Sequence, residues 1–254
     1  MKEILAVIPA RLESKRLPKK VLLEINGKSI IQHVVEKCLE VFDSKKILVL
    51  TDNEAVLENL RQYPIKTFIS NKECKSGSER ICLAMDEILN YSQTLLNETG
   101  IINVQADQPT IDPQILNKIY SSLLNLNNEN VVTPVYKISR ENLNNPNIVK
   151  VIRRIDGNAI YFSRSPIPYV RDYSSIVGPN KFSYWGHVGI YGYKASVLKD
   201  WNNLPNSFLE NAEKLEQLRL LDAGINIKTI EIQSDCISVD TKDDFEKVKK
   251  ILSI

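Results

Sequence analysis

Two runs, I-L-A-V-I at 4–8 and K-I-L-V-L at 46–50, are apolar nearly throughout. A strand of that kind has no polar face to turn to water and must be covered on both sides. A mostly parallel sheet flanked by helices does this. The neighbouring segments agree. Spacing of i, i+3, i+4 predicts helices over 29–42, 53–60 and 77–89, and I-K-T-F-I (65–69) and I-I-N-V-Q (101–105) read as further strands. Ser76, with Glu79 three residues on, predicts a capping box for the third helix. The expected fold class is α/β.

The regularity weakens after about residue 125. Strands are predicted at 131–138, 148–153 and 159–163 without long helices between them. A polar loop from Arg164 to Gly186 follows, then a strand at 187–193. Long loops in compact domains are commonly functional or mobile. Ser207 and Glu210 predict a capping box opening a helix over 208–222, and 226–232 reads as a last strand. The terminal helix over 241–252 has acids first and lysines last, which suits its dipole. The Asn-rich stretch 125–130 reads as a surface turn. We expect a single domain over 1–254, with a core from 1–125 and 206–254 and a smaller mixed-strand portion from 126–205.

Composition excludes some functions. The chain has 254 residues, with 33 Lys+Arg against 31 Asp+Glu. A formal charge of +2 gives no global bias toward polyanions, so any cluster of cations is a local arrangement. Cys38, Cys74, Cys82 and Cys236 form no C-x-x-C pair, and they predict reduced thiols with neither disulfide framework nor zinc site. Pro9 and Arg11 cut off the short apolar run at the start, too short and wrongly flanked for the expectation to be a signal peptide, and no later run approaches a membrane span. A cytoplasmic protein, with no membrane partner, is the expectation.

The local arrangement is at residues 7–20, V-I-P-A-R-L-E-S-K-R-L-P-K-K. Arg11, Lys15, Arg16, Lys19 and Lys20 leave the end of the first strand with Glu13 as their one acid. Ligands of open α/β sheets bind beyond the carboxyl ends of the strands. A basic loop there suits a polyanion, with Arg as a planar fork and Lys as a point charge. The plainer alternative is a solvated, solubilising loop. There is no G-x-x-x-x-G-K-[ST] and no G-x-G-x-x-G. In V-Q-A-D-Q-P (104–109), Asp107 follows an apolar strand directly and is placed to hold Mg²⁺ across from the basic loop. Its alternative is a turn or helix-cap residue, the role assigned to Asp112. Asp240, in S-V-D-T-K-D-D, either caps the last helix or supplies a second carboxylate to the same ion. A nucleic-acid binder is disfavoured, because the positive charge sits in one loop with no aromatic stacking platform behind it.

Eight motifs run in order along almost the whole chain: Ile8 to Pro18, Ser76 to Arg80, Val104 to Pro109, Pro146 to Val151, Ala159 to Pro168, His187 to Tyr193, Leu209 to Arg219 and Val239 to Asp244. Together they resemble the 3-deoxy-manno-octulosonate (KDO) cytidylyltransferases, or CMP-KDO synthetases. The resemblance implies a Rossmann-like nucleotidyltransferase fold, a homodimer, and a smaller portion for sugar binding and dimerisation. It implies that the anomeric hydroxyl of a 3-deoxy-2-ulosonic acid attacks the α-phosphorus of CTP and pyrophosphate leaves. The product is a CMP-sugar for lipopolysaccharide assembly.

Residue roles follow from the resemblance. Arg11, Arg16 and Lys20 would neutralise the β,γ-phosphates and the departing pyrophosphate. Mg²⁺ on Asp107 and Asp240 would bridge phosphate oxygens and lower the pKa of the attacking hydroxyl. Catalysis would thus rest on Arg11, Arg16, Lys20 and Asp107. Ser14, Ser76, Gly77, Arg80 and Gln105 join the nucleotide contacts, with Gly77 allowing close backbone approach. For the sugar, Arg164 would meet the carboxylate, against the alternative of a loop salt bridge. His187 and Tyr191 would face it from one side of a strand, an offset of four being even. Glu216 and Gln217 would bind hydroxyls, with an exposed helix face as their alternative. His33 is read as structural.

The chain departs from the family pattern at four places. Ala106 and Gln108 stand where the family reads glycine and glutamate, and Lys19 and Val21 where it reads glycine and proline. The cytidylyl chemistry is expected to survive these changes. The sugar is left open to a related ulosonate, such as an 8-amino or sialate-like acid. A non-catalytic nucleotide- or sugar-binding protein is the rival from another class.

Overall fold

The computed structural model describes every residue except 15, 71–72, 127–128, 172–182, 234 and 254. Lys15, and the middle of the loop expected at 164–186, therefore lie outside the described residues. The chain forms two compact units. The first takes residues 1–125, 190–202 and 236–254, and the second 126–189 and 203–235. The division expected from sequence differs: 190–202 join the first unit and 203–235 the second.

In the first unit, parallel strands β1 (Glu3–Ala10), β4 (Ile47–Thr51), β5 (Lys66–Ile69) and β6 (Thr99–Asn103) lie in the order β5-β4-β1-β6. The register pairs Val7 with both Leu48 and Asn103. β11 (Tyr191–Lys194) adds to β6 antiparallel. The apolar runs behave as their composition requires: β4 and β6 are buried along their whole length and β1 nearly so. Burying each Val, Leu or Ile there contributes about 1.5–3 kcal/mol. Helices α1 (Ile30–Leu39) and α2 (Glu54–Asn59) pack on β4, α3 (Gly77–Leu83) on β1, and α5 (Pro113–Leu124) on β6 and β11. The helix expected over 77–89 is broken at Ala84 into α3 and α4 (Met85–Ser92).

A two-residue hairpin joins β2 (Glu24–Ile25) to β3 (Lys28–Ser29). Its turn is Asn26-Gly27, at φ +53° and +76°, the left-handed pair that a tight hairpin needs. Ile25 belongs to an apolar cluster with Ile30, Val239 and Val248, against which Leu17, Leu23 and Phe245 pack. That cluster ties the basic loop to the segment leading into α9 (Lys242–Leu252).

The second unit is a mixed sheet of order β12-β7-β10-β8-β9. β12 (Ile227–Glu231) runs parallel to β7 (Val131–Lys137). β10 (Trp185–His187), β8 (Lys150–Arg153) and β9 (Ala159–Ser163) continue antiparallel. The helix expected over 208–222 is two short ones, α7 (Phe208–Glu213) and α8 (Gln217–Asp222), because Lys214 sits at φ +55° between them. The remaining helix, α6 (Ala195–Lys199), follows β11 in the first unit. The strand expected over 187–193 is likewise two: the chain leaves β10 after His187 and re-enters a strand at Tyr191.

Candidate active site

Three parallel strands end at one edge of the first unit, and each hands a charged group to it. β1 runs into Arg11 and the basic loop, β4 into Asp52, and β6 toward Asp107. An open cleft of about 1130 Å³ lies there, lined by Arg11, Ser14, Arg16, Lys19, Lys20, Asp52, Cys74, Arg80 and Asp240 among others.

At its centre is Lys20, on a 3₁₀ turn (Lys20–Leu22). Its Nζ donates to Asp107 Oδ2 at 2.5 Å and to Asp240 Oδ1 at 2.8 Å. Arg16 Nη2 reaches the same Asp240 oxygen at 2.8 Å. Burial works to lower the Lys20 pKa, but the charges and hydrogen bonds of Asp107 and Asp240 outweigh it and hold the ammonium above the ordinary lysine range. Burial likewise works to raise Asp240, and Lys20 with Arg16 overcomes it, leaving the carboxyl below its usual range.

The two carboxylates meet because their segments are joined. Val239 N donates to Asp107 O at 2.8 Å, and Gln108 Nε2 donates to Ser238 Oγ at 3.0 Å. Gln108 is 3% exposed and faces Ser238, so the amide is a brace between the two loops. The cap of α9 is Thr241, which accepts from Asp244 N, while the Asp244 carboxylate takes Thr241 N. That leaves the Asp240 carboxylate to Lys20 and Arg16.

Asp52 is a site residue that the sequence reading passed over. Its Oδ1 accepts from Leu12 N at 3.1 Å and its Oδ2 from Arg80 Nη2 at 2.8 Å, so it fixes the first turn of the basic loop and a buried arginine together. The signal was available: like Asp107, Asp52 lies just beyond the carboxyl end of an apolar strand. Arg80 Nη1 is buried and has no hydrogen-bond partner, a donor available to a ligand in the cleft. Ser76 caps α3 by accepting from Glu79 N at 3.1 Å, but the Glu79 carboxylate takes Lys75 N, so half of the expected box forms. A Cβ at Gly77 would lie 3.0 Å from Pro9 Cγ, which gives that glycine a packing reason. Gln105 is half-buried, its carbonyl accepting from Gln108 N. Burial pushes the Cys74 thiol up, against a nucleophilic role.

Among the residues expected to bind sugar, Arg164, His187, Glu216 and Gln217 belong to the second unit and Tyr191 to the first. Arg164 Nε donates to Glu213 O at 2.8 Å and Nη1 to Pro146 O at 2.9 Å. Glu213, also missed, accepts from Ser163 Oγ at 2.5 Å and from Arg164 N at 2.9 Å. His187 Nε2 lies 2.9 Å from Thr133 Oγ1 and its ring meets Phe162 edge-on at 5.0 Å. Burial pushes its pKa down to about 3, so the ring is neutral at physiological pH. Tyr191 stacks on Tyr193 at 5.5 Å. The even-offset argument for His187 and Tyr191 fails, since no single strand joins them. Glu216 is the N-cap of α8, and Gln217 is buried with Nε2 unpartnered.

Among the described residues no group of three or more His, Cys, Asp and Glu gathers as a metal cage. Two converging carboxylate oxygens fit Mg²⁺, which takes one or two carboxylates and completes its shell with phosphate and water. The Lys20 ammonium is a stand-in cation between them. No helix among the described residues is long and apolar enough to cross a membrane.

A mixed α/β sheet that gathers a basic loop and a carboxylate pair beyond its parallel strands is built to hold a polyanionic ligand, and the matches to known proteins make the class a nucleotidyltransferase. The cytidylyltransferase family profile matches residues 5–230. The chain is 37% identical to the 3-deoxy-manno-octulosonate cytidylyltransferase of Thermodesulfovibrio yellowstonii, over 98% of each chain. It is 37% identical to that of Escherichia coli, over 100% of this chain and 97% of that one. A solved structure of CMP:2-keto-3-deoxy-manno-octonic acid synthetase complexed with CTP superposes with TM-score 0.87 and 36% identity, over 99% and 98% of the two chains. A cytidylyltransferase from Leptospira borgpetersenii shares the fold at TM-score 0.62 with 17% identity, over 100% of this chain and 87% of that one. This chain belongs to the 3-deoxy-manno-octulosonate cytidylyltransferase family.

Proposed function

We propose that the basic cleft of the first unit is where this chain transfers the cytidylyl group of CTP to the anomeric hydroxyl of KDO. The hydroxyl oxygen forms a bond to the α-phosphorus, the bond from that phosphorus to the β-phosphate bridge breaks, and pyrophosphate leaves. The observation that carries the reading is Lys20, held with Arg16 against Asp107 and Asp240 in a cleft that Arg11, Lys19 and Arg80 also line.

Arg11 is exposed at the mouth of the first loop and, with Arg16 and Lys20, neutralises the β,γ-phosphates and the leaving pyrophosphate. Arg80, with an unpartnered buried nitrogen, and Ser14 line the same cleft and take the rest of the nucleotide. Ser76, Gly77 and Gln105 shape its wall. Asp107 and Asp240 would hold Mg²⁺, which when bound neutralises phosphate charge and makes the attacking hydroxyl more acidic. Arg164 is our assignment for the sugar carboxylate, and Tyr191, Glu216 and Gln217 for its hydroxyls. His187, being neutral, takes part as a hydrogen-bonding group. Positioning and electrostatics supply most of the rate enhancement in such a reaction.

The test is pyrophosphate release with CTP, Mg²⁺ and KDO. Release that depends on all three is expected. Binding of CTP without release, with KDO or any other ulosonic acid, would overturn the reading in favour of a binding protein. Nothing in the geometry of Gln108 favours a different sugar, since its amide faces Ser238.

A further inference from the structure

The Lys20 ammonium occupies the place that a cation shared by Asp107 and Asp240 would occupy. One nitrogen lies 2.5 Å from Asp107 Oδ2 and 2.8 Å from Asp240 Oδ1, and Arg16 engages that second oxygen too. The protein's own cations therefore occupy one oxygen of each carboxylate, the pair that converges on a shared cation. The Lys20 side chain is only 14% exposed. A free metal ion entering here would expel that ammonium into a cleft lined by Arg11, Lys19, Lys75 and Arg80 and by the acids Glu13, Asp52, Glu73 and Glu79, of which Asp52 is already held by Arg80 and Leu12 N and Glu79 by Lys75 N. A largely buried charge that loses its partner is strongly unfavourable. The carboxylates cannot withdraw instead, because the Val239–Asp107 and Gln108–Ser238 hydrogen bonds fix the loops that carry them.

A triphosphate changes the balance. Its oxygens give the displaced ammonium a new anionic partner, and they supply the ligands that two carboxylates cannot. We infer that this site takes a divalent cation only as a metal–nucleoside triphosphate complex, and that Lys20 is the counter-ion which the complex displaces. The ammonium leaves Asp107 and Asp240 and pairs with phosphate oxygens as the metal takes its place. Metal and nucleotide then strengthen each other's binding by the same factor, as thermodynamic linkage demands. The inference rests on the reading that Asp107 and Asp240 hold the metal and that Lys20 meets the triphosphate.

Protein-retained Mn²⁺, measured by rapid ultrafiltration with no sugar present, tests it. The wild-type protein should retain Mn²⁺ weakly alone and at least roughly tenfold more tightly with CTP, a difference of about 1.4 kcal/mol. Lys20→Met should bind Mn²⁺ alone roughly tenfold more tightly than wild type, again about 1.4 kcal/mol. Adding Asp240→Asn to that variant should remove the gain. Mn²⁺ should also raise the Tm of Lys20→Met more than that of wild type. Wild-type protein that retains Mn²⁺ equally well with and without CTP would overturn the ordering while leaving the metal assignment intact. Lys20→Met binding Mn²⁺ no better than wild type would overturn the role of Lys20. No retention in any sample, CTP included, would overturn the metal assignment itself. If Lys20→Met does not fold, the wild-type comparison with and without CTP still decides.

Discussion

Gln108 donates its side-chain amide to the hydroxyl of Ser238 at 3.0 Å, and this bond lies alongside the Val239–Asp107 main-chain bond. Asp107 lies one position from Gln108, and Asp240 two positions from Ser238. The brace thus sets the separation of the carboxylates. Gln108→Leu should lower stability by about 1 kcal/mol and reduce kcat/KM for CTP. Gln108→Glu, which loses the donated bond but can accept from the Ser238 hydroxyl instead, should retain more activity than Gln108→Leu. Urea denaturation and steady-state kinetics on the two variants check this; equal losses would remove the brace from the account.

Lys19 has φ +53° and ψ +28°, the left-handed region that costs a non-glycine residue roughly 1–2 kcal/mol. The extra cation of the loop is therefore held in glycine's conformation. Lys19→Gly should stabilise the fold by about 1 kcal/mol and weaken CTP binding less than loss of Lys20 does. A urea midpoint that moves down would contradict it.

The Lys20–Asp240 pair sets a pH window. Asp240 has its pKa lowered in the folded state, so its contribution is present above the unfolded carboxylate value, about pH 4, and is lost as pH falls through the folded value below it. Lys20 is raised, so its contribution is present below the unfolded lysine value, about pH 10, and is lost as pH rises through the folded value above that. The stability gap between wild type and Asp240→Asn should be open at neutral pH and close in acid. Denaturant titrations across the acid range measure it.

Asp52→Ala should cost about 1–3 kcal/mol, since it leaves the Arg80 guanidinium buried without its acid and Leu12 N without its acceptor. It should also raise the KM for CTP. Circular dichroism melts and kinetics read both effects; an unchanged KM would separate Asp52 from nucleotide binding.

Asp107→Asn should abolish pyrophosphate release at any Mg²⁺ concentration. Near-normal rates would remove Asp107 from the metal.

Much of the first unit was legible because β1, β4 and β6 are apolar on both faces and its helices are amphipathic, and both patterns are local. The basic loop and Asp107 followed from their place at strand ends. What the pattern could not give was the tertiary pairing: that Gln108 turns to Ser238, or that Thr241 caps α9 and frees Asp240. Periodicity also joined what the backbone separates. Residues 187–193 have strand composition, yet hydrogen bonding divides them between β10 and β11. Residues 208–222 have helical spacing, yet Lys214 breaks them. Arg164 carries a charge that invites a carboxylate, and main-chain carbonyls take two of its nitrogens. Such competitors are invisible until the chain folds.

The helix start at Thr241 has a bearing on which changes this chain tolerates. Because Thr241 and Asp244 close the cap between themselves, α9 begins at a fixed residue, and Asp240 stands one position ahead of it with no slack. Substitutions along the outer face of that helix leave the carboxylate where it is. A single-residue insertion at the 240–241 junction falls between that fixed cap and the Ser238–Val239 segment tied to Gln108 and Asp107, and would disturb the acid's pairing with Lys20 while the helix itself stayed intact.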